Sequence, residues 1–260
     1  MTGSVFGSAS TPILSFFAIL LGLTFGSFGS VLVARVPTKK SLWTRSECPE
    51  CGHQIRSIEN IPLISYLVLR GRCSQCSSKI SILYPLIELA TAVLFLISIF
   101  VFHNWTQVLL WLILVIFGVP LTIIDATLHR LPDLLTASLF IASAAVIIGD
   151  ALYHHQYDRL IPSLIGSVAL PAFYLALMII SRGGMGMGDV KLAAGLGLVT
   201  GYFGVRTVLV GSFAAYILGS VIGVGLMILG KAGRKTAIPF GPFMLVGQAI
   251  ALIVAARSGL

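Results

Sequence analysis

Charged side chains are scarce in this chain. They make up 10% of its 260 residues, against 57% hydrophobic residues, and the mean hydropathy is +1.00. A soluble domain carries about 25% charged residues, so a water-facing shell cannot be built from this composition. That excludes an ordinary soluble enzyme, a disordered tail and a nucleic-acid module of the usual kind. Acids are the scarcest group, nine Asp+Glu against seventeen Lys+Arg, for a formal net charge of +8. The first 34 residues hold no charge at all, so they lack the basic stretch that opens a cleavable secretory signal. No internal repeat, low-complexity tract, Walker pattern or Rossmann methyltransferase signature is present.

What is present is a series of long apolar runs. A helix crossing the hydrocarbon core needs about 20 apolar residues. Eight candidate spans follow: Pro12–Ala34, Ile82–Phe102 (interrupted only by Glu88), Trp105–Ile124, Leu134–Gly149, Leu160–Ser181, Leu192–Val205, Thr207–Gly230 and Phe240–Ala256. The sixth is short and rich in glycine. The runs are continuous rather than alternating, which favours helices over an outer-membrane barrel. The fold expected is an all-α polytopic membrane protein of about eight transmembrane helices. Fourteen of the seventeen basic residues fall in the loops on one side; only Arg159, Arg206 and Arg257 fall on the other. The positive-inside rule then predicts both termini outside the cytoplasm, with the first span a retained anchor.

All four cysteines lie in the one large loop, residues 35–81, as Cys48-Pro-Glu-Cys51 and Cys73-Ser-Gln-Cys76. Two C-x2-C pairs 21 residues apart have the spacing of a zinc ribbon. Each pair lets one tight turn, the first supported by Gly52, aim two thiolates at one ion. The orientation places the loop in the cytoplasm, where thiols stay reduced. The expectation is a small zinc-ribbon-like domain holding a structural Zn²⁺, with His53 a bystander; two disulfides or four unrelated thiols are the alternatives. The loop carries eight basic residues against Glu47, Glu50 and Glu59. Its aromatics, Trp43 and Tyr66, make a poor stacking platform for bases, so anionic lipid head groups are the expected partner and nucleic acid is not.

Six acids remain outside that loop. Asp150 and Asp158 flank the outer loop after the fourth span, where solvated charges are unremarkable. Glu88, Asp125, Asp133 and Asp189 lie at or inside the cytoplasmic membrane boundary, where an ionisable group is costly. Asp125 ends the third span; Asp189 follows the glycines 183, 184, 186 and 188 and precedes the sixth. Topology allows the two to meet. Two carboxylates sharing a site cannot both ionise cheaply, so one keeps a proton while the other acts as base. An aspartyl hydrolase has that requirement. The alternatives are an ion pair of Asp125 with Arg130, an ion pair of Asp189 with Lys191, a cap on the sixth helix, or the proton sites of a small membrane carrier.

The chain resembles the type IV prepilin peptidases, membrane aspartyl proteases with a G-x-G-D motif. The motifs that carry the resemblance stand in order along nearly the whole chain. They are Gly26-Ser27-Phe28 with Val31, Arg35 and Pro37; the double C-x-x-C loop enclosing Ile61-Pro62-Leu63-Ile64-Ser65-Tyr66; Tyr84-Pro85-Leu86-Ile87-Glu88; Asp125 with Pro132-Asp133; Gly186-Met187-Gly188-Asp189-Val190-Lys191; and Ile238-Pro239-Phe240-Gly241-Pro242-Phe243. Ser30 stands where the family usually has Asn. The resemblance implies a first helix at 1–34, a cysteine loop at 35–81 and a peptidase core at 82–260. It implies catalytic roles for Asp125 and Asp189, with Asp133, Gly186, Gly188 and Lys191 in support. It also implies cleavage of a basic leader from type IV prepilins or type II secretion pseudopilins, after a glycine, at the cytoplasmic face of the inner membrane. N-methylation of the new terminus with S-adenosylmethionine is implied as a second activity, with no residues assignable to it.

Overall fold

The computed structural model describes residues 11–155, 157–181, 185–231, 233, 236 and 238–258. Gly183 and Gly184 of the expected glycine loop, and Arg182, Arg234 and Lys235 among the orienting cations, lie outside the described residues. The chain is helical, and its only β pairing among the described residues is two isolated bridges in the cysteine loop. It divides into two compact units, Met1–Phe100 and Val101–Leu260. Among the described residues, seven helices are long and apolar enough to cross a membrane.

The first unit holds α1 (Thr11–Arg35), the cysteine loop with a short α2 (Ile64–Val68), and α3 (Leu83–Val101). In lipid there is little hydrophobic drive between helices, so close packing through small residues has to supply the contact. The backbone of α3 passes directly over two glycines of α1: a Cβ at Gly22 would fall 2.5 Å from the Ala92 Cα, and one at Gly26 would fall 2.6 Å from the Glu88 Cα. Glu88 itself is buried, and its Oε2 accepts the Leu63 N–H at 2.8 Å, which ties the loop to α3. Arg35, read from sequence as an orienting charge, also folds the start of the loop. Its Nη1 donates to the Ser41 and Thr44 carbonyls at 2.9 and 2.7 Å, and its Nη2 to the Arg45 carbonyl at 3.1 Å.

The second unit is a bundle of α4 (Trp105–Leu128), α5 (Asp133–His154), α6 (Leu160–Ile180), α7 (Met187–Tyr202), α8 (Val205–Ile228) and α9 (Gly241–Ser258). Asn104 caps α4 by accepting the Gln107 N–H at 2.8 Å. That helix ends where His129 turns left-handed (φ 52°), three residues before Pro132 opens α5. The sixth expected span, Leu192–Val205, is corrected to α7, which starts five residues earlier and stops three sooner. Its 16 residues extend about 24 Å, short of a 30 Å core. It does not need lipid-facing length, because every residue from Asp189 to Tyr202 except Lys191 and Ala194 is buried by protein, with Leu192, Ala193, Leu196, Val199 and Thr200 fully buried. Gly166 of α6 and Gly197 of α7 bring the two backbones together so closely that a Cβ on either would strike the other's carbonyl.

Asp150 differs from expectation. It is the hub of a polar network rather than a solvated loop charge. Its carboxylate accepts Thr106 Oγ1 of α4 at 2.5 Å and the Tyr202 hydroxyl of α7 at 2.9 Å, and lies 3.1 Å from His154 Nδ1. Arg159 donates to the Tyr202 carbonyl at 3.3 Å. Three helices are pinned at one end of the bundle by a single acid, whereas Asp158 is exposed.

Candidate functional site

Two clusters of chemistry-bearing side chains stand out, one in each unit. In the first unit the four cysteine sulfurs all lie within 4.8 Å of one another. The two knuckles repeat one fold. Cys48 N–H donates to the His53 carbonyl and Cys73 N–H to the Ser78 carbonyl, both at 2.9 Å, while Gly52 and Ser77 donate back to the Cys48 and Cys73 carbonyls. Each knuckle turns through a left-handed residue, Gly52 at φ 70° and Ser77 at φ 58°. The Cys48–Cys76 and Cys51–Cys73 sulfur separations are 3.8 and 4.0 Å. A disulfide needs about 2.05 Å. Tetrahedral coordination with Zn–S bonds of about 2.3 Å puts sulfurs about 3.8 Å apart. The four thiols therefore fit a single tetrahedral metal ion, and the set leaves no position for a fifth ligand. His53 stands apart from them, its Nε2 3.6 Å from Glu59.

The loop electrostatics suit a metal. The Cys51 N–H and then the Ser78 hydroxyl favour the Cys48 thiolate, bringing its pKa down to about 6. The Ser78 hydroxyl lowers Cys76 as well. At Cys51 the His53 N–H acts in the same direction, yet desolvation and the other three sulfurs prevail and push it up to about 12. Four thiols this close cannot all ionise without a cation to bind them.

In the second unit Asp125 and Asp189 are both buried, 5% and 8% exposed. Asp125 lies one turn before the end of α4, and its Oδ2 accepts the Gly241 N–H at 3.0 Å. Gly241 is the first residue of α9. Asp189 is in the first turn of α7, and its Oδ2 accepts the Gly186 N–H at 3.1 Å. Each carboxylate thus sits at a helix N-terminus, where unpaired N–H groups and the helix dipole favour negative charge. Leu131, on the α4–α5 connection, packs against both places. Its Cδ2 lies 3.3 Å from where a Gly241 Cβ would be, and its Cβ lies 3.0 Å from a Gly188 Cβ. The two carboxylates are within electrostatic reach of each other.

The supporting residues fall around the pair in different ways. Gly188 needs its missing Cβ because Leu131 fills that space, whereas a Cβ at Gly186 would meet nothing closer than 3.7 Å. Lys191 pairs with Asp133 at 2.7 Å, on an exposed surface, not with Asp189. Among the described residues the ion pairs are those of His53, His154 and Lys191, so neither Asp125 nor Asp189 is neutralised by one. Asp189 does cap α7, the alternative raised from sequence. Capping and acid–base chemistry are compatible, since one oxygen accepts the Gly186 N–H. The Gly241 N–H was not foreseen as a partner of Asp125. Its only sequence signal is the Pro-Phe-Gly-Pro block, which marks a helix start without saying what it faces.

The profile of the bacterial peptidase A24 N-terminal domain matches residues 20–102, and that of the type IV leader peptidase family matches residues 112–228. A Pseudomonas aeruginosa protein named prepilin leader peptidase/N-methyltransferase is 36% identical over 90% of this chain and 88% of its own length. A Dichelobacter nodosus protein of the same name is 34% identical over 96% and 94%, and one from Myxococcus xanthus is 37% identical over 91% and 70%. No solved structure gives a significant match. With relatives of this identity covering most of both chains, the protein is an enzyme that belongs to the type IV leader peptidase family.

Proposed function

We propose that the chain is a membrane aspartyl endopeptidase that removes the basic leader of type IV prepilins or type II secretion pseudopilins. The observation that carries this reading is the pair Asp125 and Asp189, each held by a backbone N–H at a helix start and packed around Leu131. In the working pair one carboxylate is ionised and takes a proton from water as the water oxygen attacks the scissile carbonyl carbon. The other, protonated, donates to the carbonyl oxygen. The tetrahedral intermediate then breaks its C–N bond as a proton passes to the leaving amine. The pair titrates as a unit, so acid and base are not assigned to individual residues. Asp133 and Lys191 close the surface beside the pair, and Gly188 admits Leu131.

The basic-residue asymmetry supports an orientation with both termini outside and the aspartates at the cytoplasmic boundary of the inner membrane. A substrate anchored by its own apolar helix presents its cleavage point at that depth, after a glycine, where water is at hand. The relatives' shared name supports a second activity, N-methylation of the new N-terminus with S-adenosylmethionine as donor. The cysteine set supports a structural Zn²⁺: all four ligands would be protein thiolates, so the ion would brace the loop and activate no water.

The test is cleavage of a prepilin by the purified protein, with mass spectrometry reading cleavage and methylation together and metal analysis on the same sample. Asp125→Asn and Asp189→Asn each lose several orders of magnitude in cleavage rate. A well-folded variant of either kind that cleaves at the parent rate overturns the assignment.

A further inference from the structure

Two tyrosine hydroxyls lie in the interior of the second unit and have no assigned task. Tyr174 of α6 is 0% exposed, and the hydroxyl oxygen of Tyr216 of α8 is also buried. The two hydroxyls approach each other without meeting hydrogen-bond geometry, and neither has another partner among the described residues. Leaving a buried hydroxyl unpaired costs about 1–3 kcal/mol, so two side by side call for an explanation. The rings provide a rigid mount. They stack at 6.0 Å with 18° between planes, and the Phe240 ring packs on both, 6.0 Å from Tyr174 and 5.2 Å from Tyr216.

The register of the helices brings this pair to the aspartates. α6 and α7 run antiparallel, with Pro162 and Ser163 against Gly201, and Gly166 and Leu170 against Gly197. Continuing that register by one turn sets Tyr174 level with the segment from Asp189 to Ala193. Both phenols are within electrostatic reach of Asp189. Phe240, which holds the two rings from the other side, immediately precedes Gly241, the donor to Asp125. The tyrosine pair is therefore built into the same corner of the bundle as the carboxylates. A Phe at either position would fill the same space, so packing does not account for the hydroxyls.

We propose that Tyr174 and Tyr216 are positioning residues whose hydroxyls donate hydrogen bonds to the Asp189 carboxylate when substrate is engaged, holding it in its reactive rotamer. Phenols suit this task because each offers one donor on a stiff ring, and a donor to a carboxylate stabilises its ionised form. The other titratable groups around Asp189 are Asp125 on α4, with His129 acting on it, and the Asp133–Lys191 pair. The inference rests on the aspartyl reading of the site.

The test uses full-length protein in detergent and compares Tyr174→Phe, Tyr216→Phe, the double variant and Asp189→Asn on a prepilin substrate from pH 4.5 to 9. The double variant lowers kcat at least tenfold with KM unchanged, and moves the acidic limb of the pH–rate profile upward by about one unit, because the first ionisation of the pair loses its donors. A packing role alone changes the thermal midpoint but not that limb. Parent kcat and pH profile in the double variant overturn the inference while Asp189→Asn remains inactive; an active Asp189→Asn instead overturns the aspartyl reading. Should Tyr174→Phe not fold, Tyr216→Phe decides alone, with a smaller shift in the same direction expected.

Discussion

Replacing Gly241 by Ala adds a single methyl group to the site and tests its geometry. The new Cβ would fall 2.8 Å from Asp125 Oδ2 and 3.3 Å from Leu131 Cδ2. Ordinary contact between a methyl carbon and a neighbouring heavy atom begins near 3.5 Å, so the carboxylate has to withdraw by about 0.7 Å. The Gly241 N–H remains, and alanine is at home at the start of a helix, so the fold is retained. Misplacing a catalytic group by about 1 Å costs on the order of 100-fold, which makes a loss of roughly tenfold in kcat reasonable for Gly241→Ala, or about 1.4 kcal/mol of barrier. KM stays near the parent value because the added methyl meets Asp125 and Leu131. Gly149→Ala is the control: nothing lies within 4 Å of its Cβ position, and a helix interior gains about 1 kcal/mol from the exchange. Steady-state cleavage of a prepilin by the two variants, with melting curves, gives the comparison. A Gly241→Ala enzyme that is stable and cleaves at the parent rate would refute the claim that the Asp125–Gly241 arrangement is the working one.

Two further outcomes follow from other parts of the structure. Tyr202→Phe removes one donor from the half-buried Asp150 and costs about 1–3 kcal/mol of stability, read as a lower melting temperature with kcat per folded molecule unchanged. In metal-stripped protein the folded loop lowers the Cys48 pKa from 9.0 to about 6, so the folded form binds fewer protons than the unfolded one between these values. The stabilisation from Cys48 is then complete above pH 9 and is lost as pH falls through 6. Amide exchange within residues 46–80 should accelerate across that window and become insensitive to it once zinc is bound; a flat profile without metal would contradict the Cys48 assignment.

The spans were legible because lipid imposes one rule, a nearly charge-free run of sufficient length, and because charge is rare enough here to mark most boundaries. The α7 boundary was misread because that rule does not govern a helix packed on nearly all sides by other helices. Its start is set by Gly186 and the capping carboxylate of Asp189, which look like loop residues in sequence. The cysteine cluster was legible from spacing, since the contact is made by two local turns. Asp150 was not, because Thr106 and Tyr202 lie 44 and 52 residues away along the chain and neither carries a local signal. The aspartates could be picked out as costly charges at the membrane edge. What holds them could not be, because Leu131 and the Gly241 N–H act through shape and a backbone group that any residue possesses.

The donor to Asp125 comes from 116 residues further along the chain, at the start of the last helix. Asp125, Asp133 and Asp189 are all synthesised before it. During synthesis, then, both aspartates exist before the α9 N-terminus that meets Asp125 does. The Asp125 contact can therefore form only after residue 241 has been made, and a chain shortened ahead of Gly241 loses it.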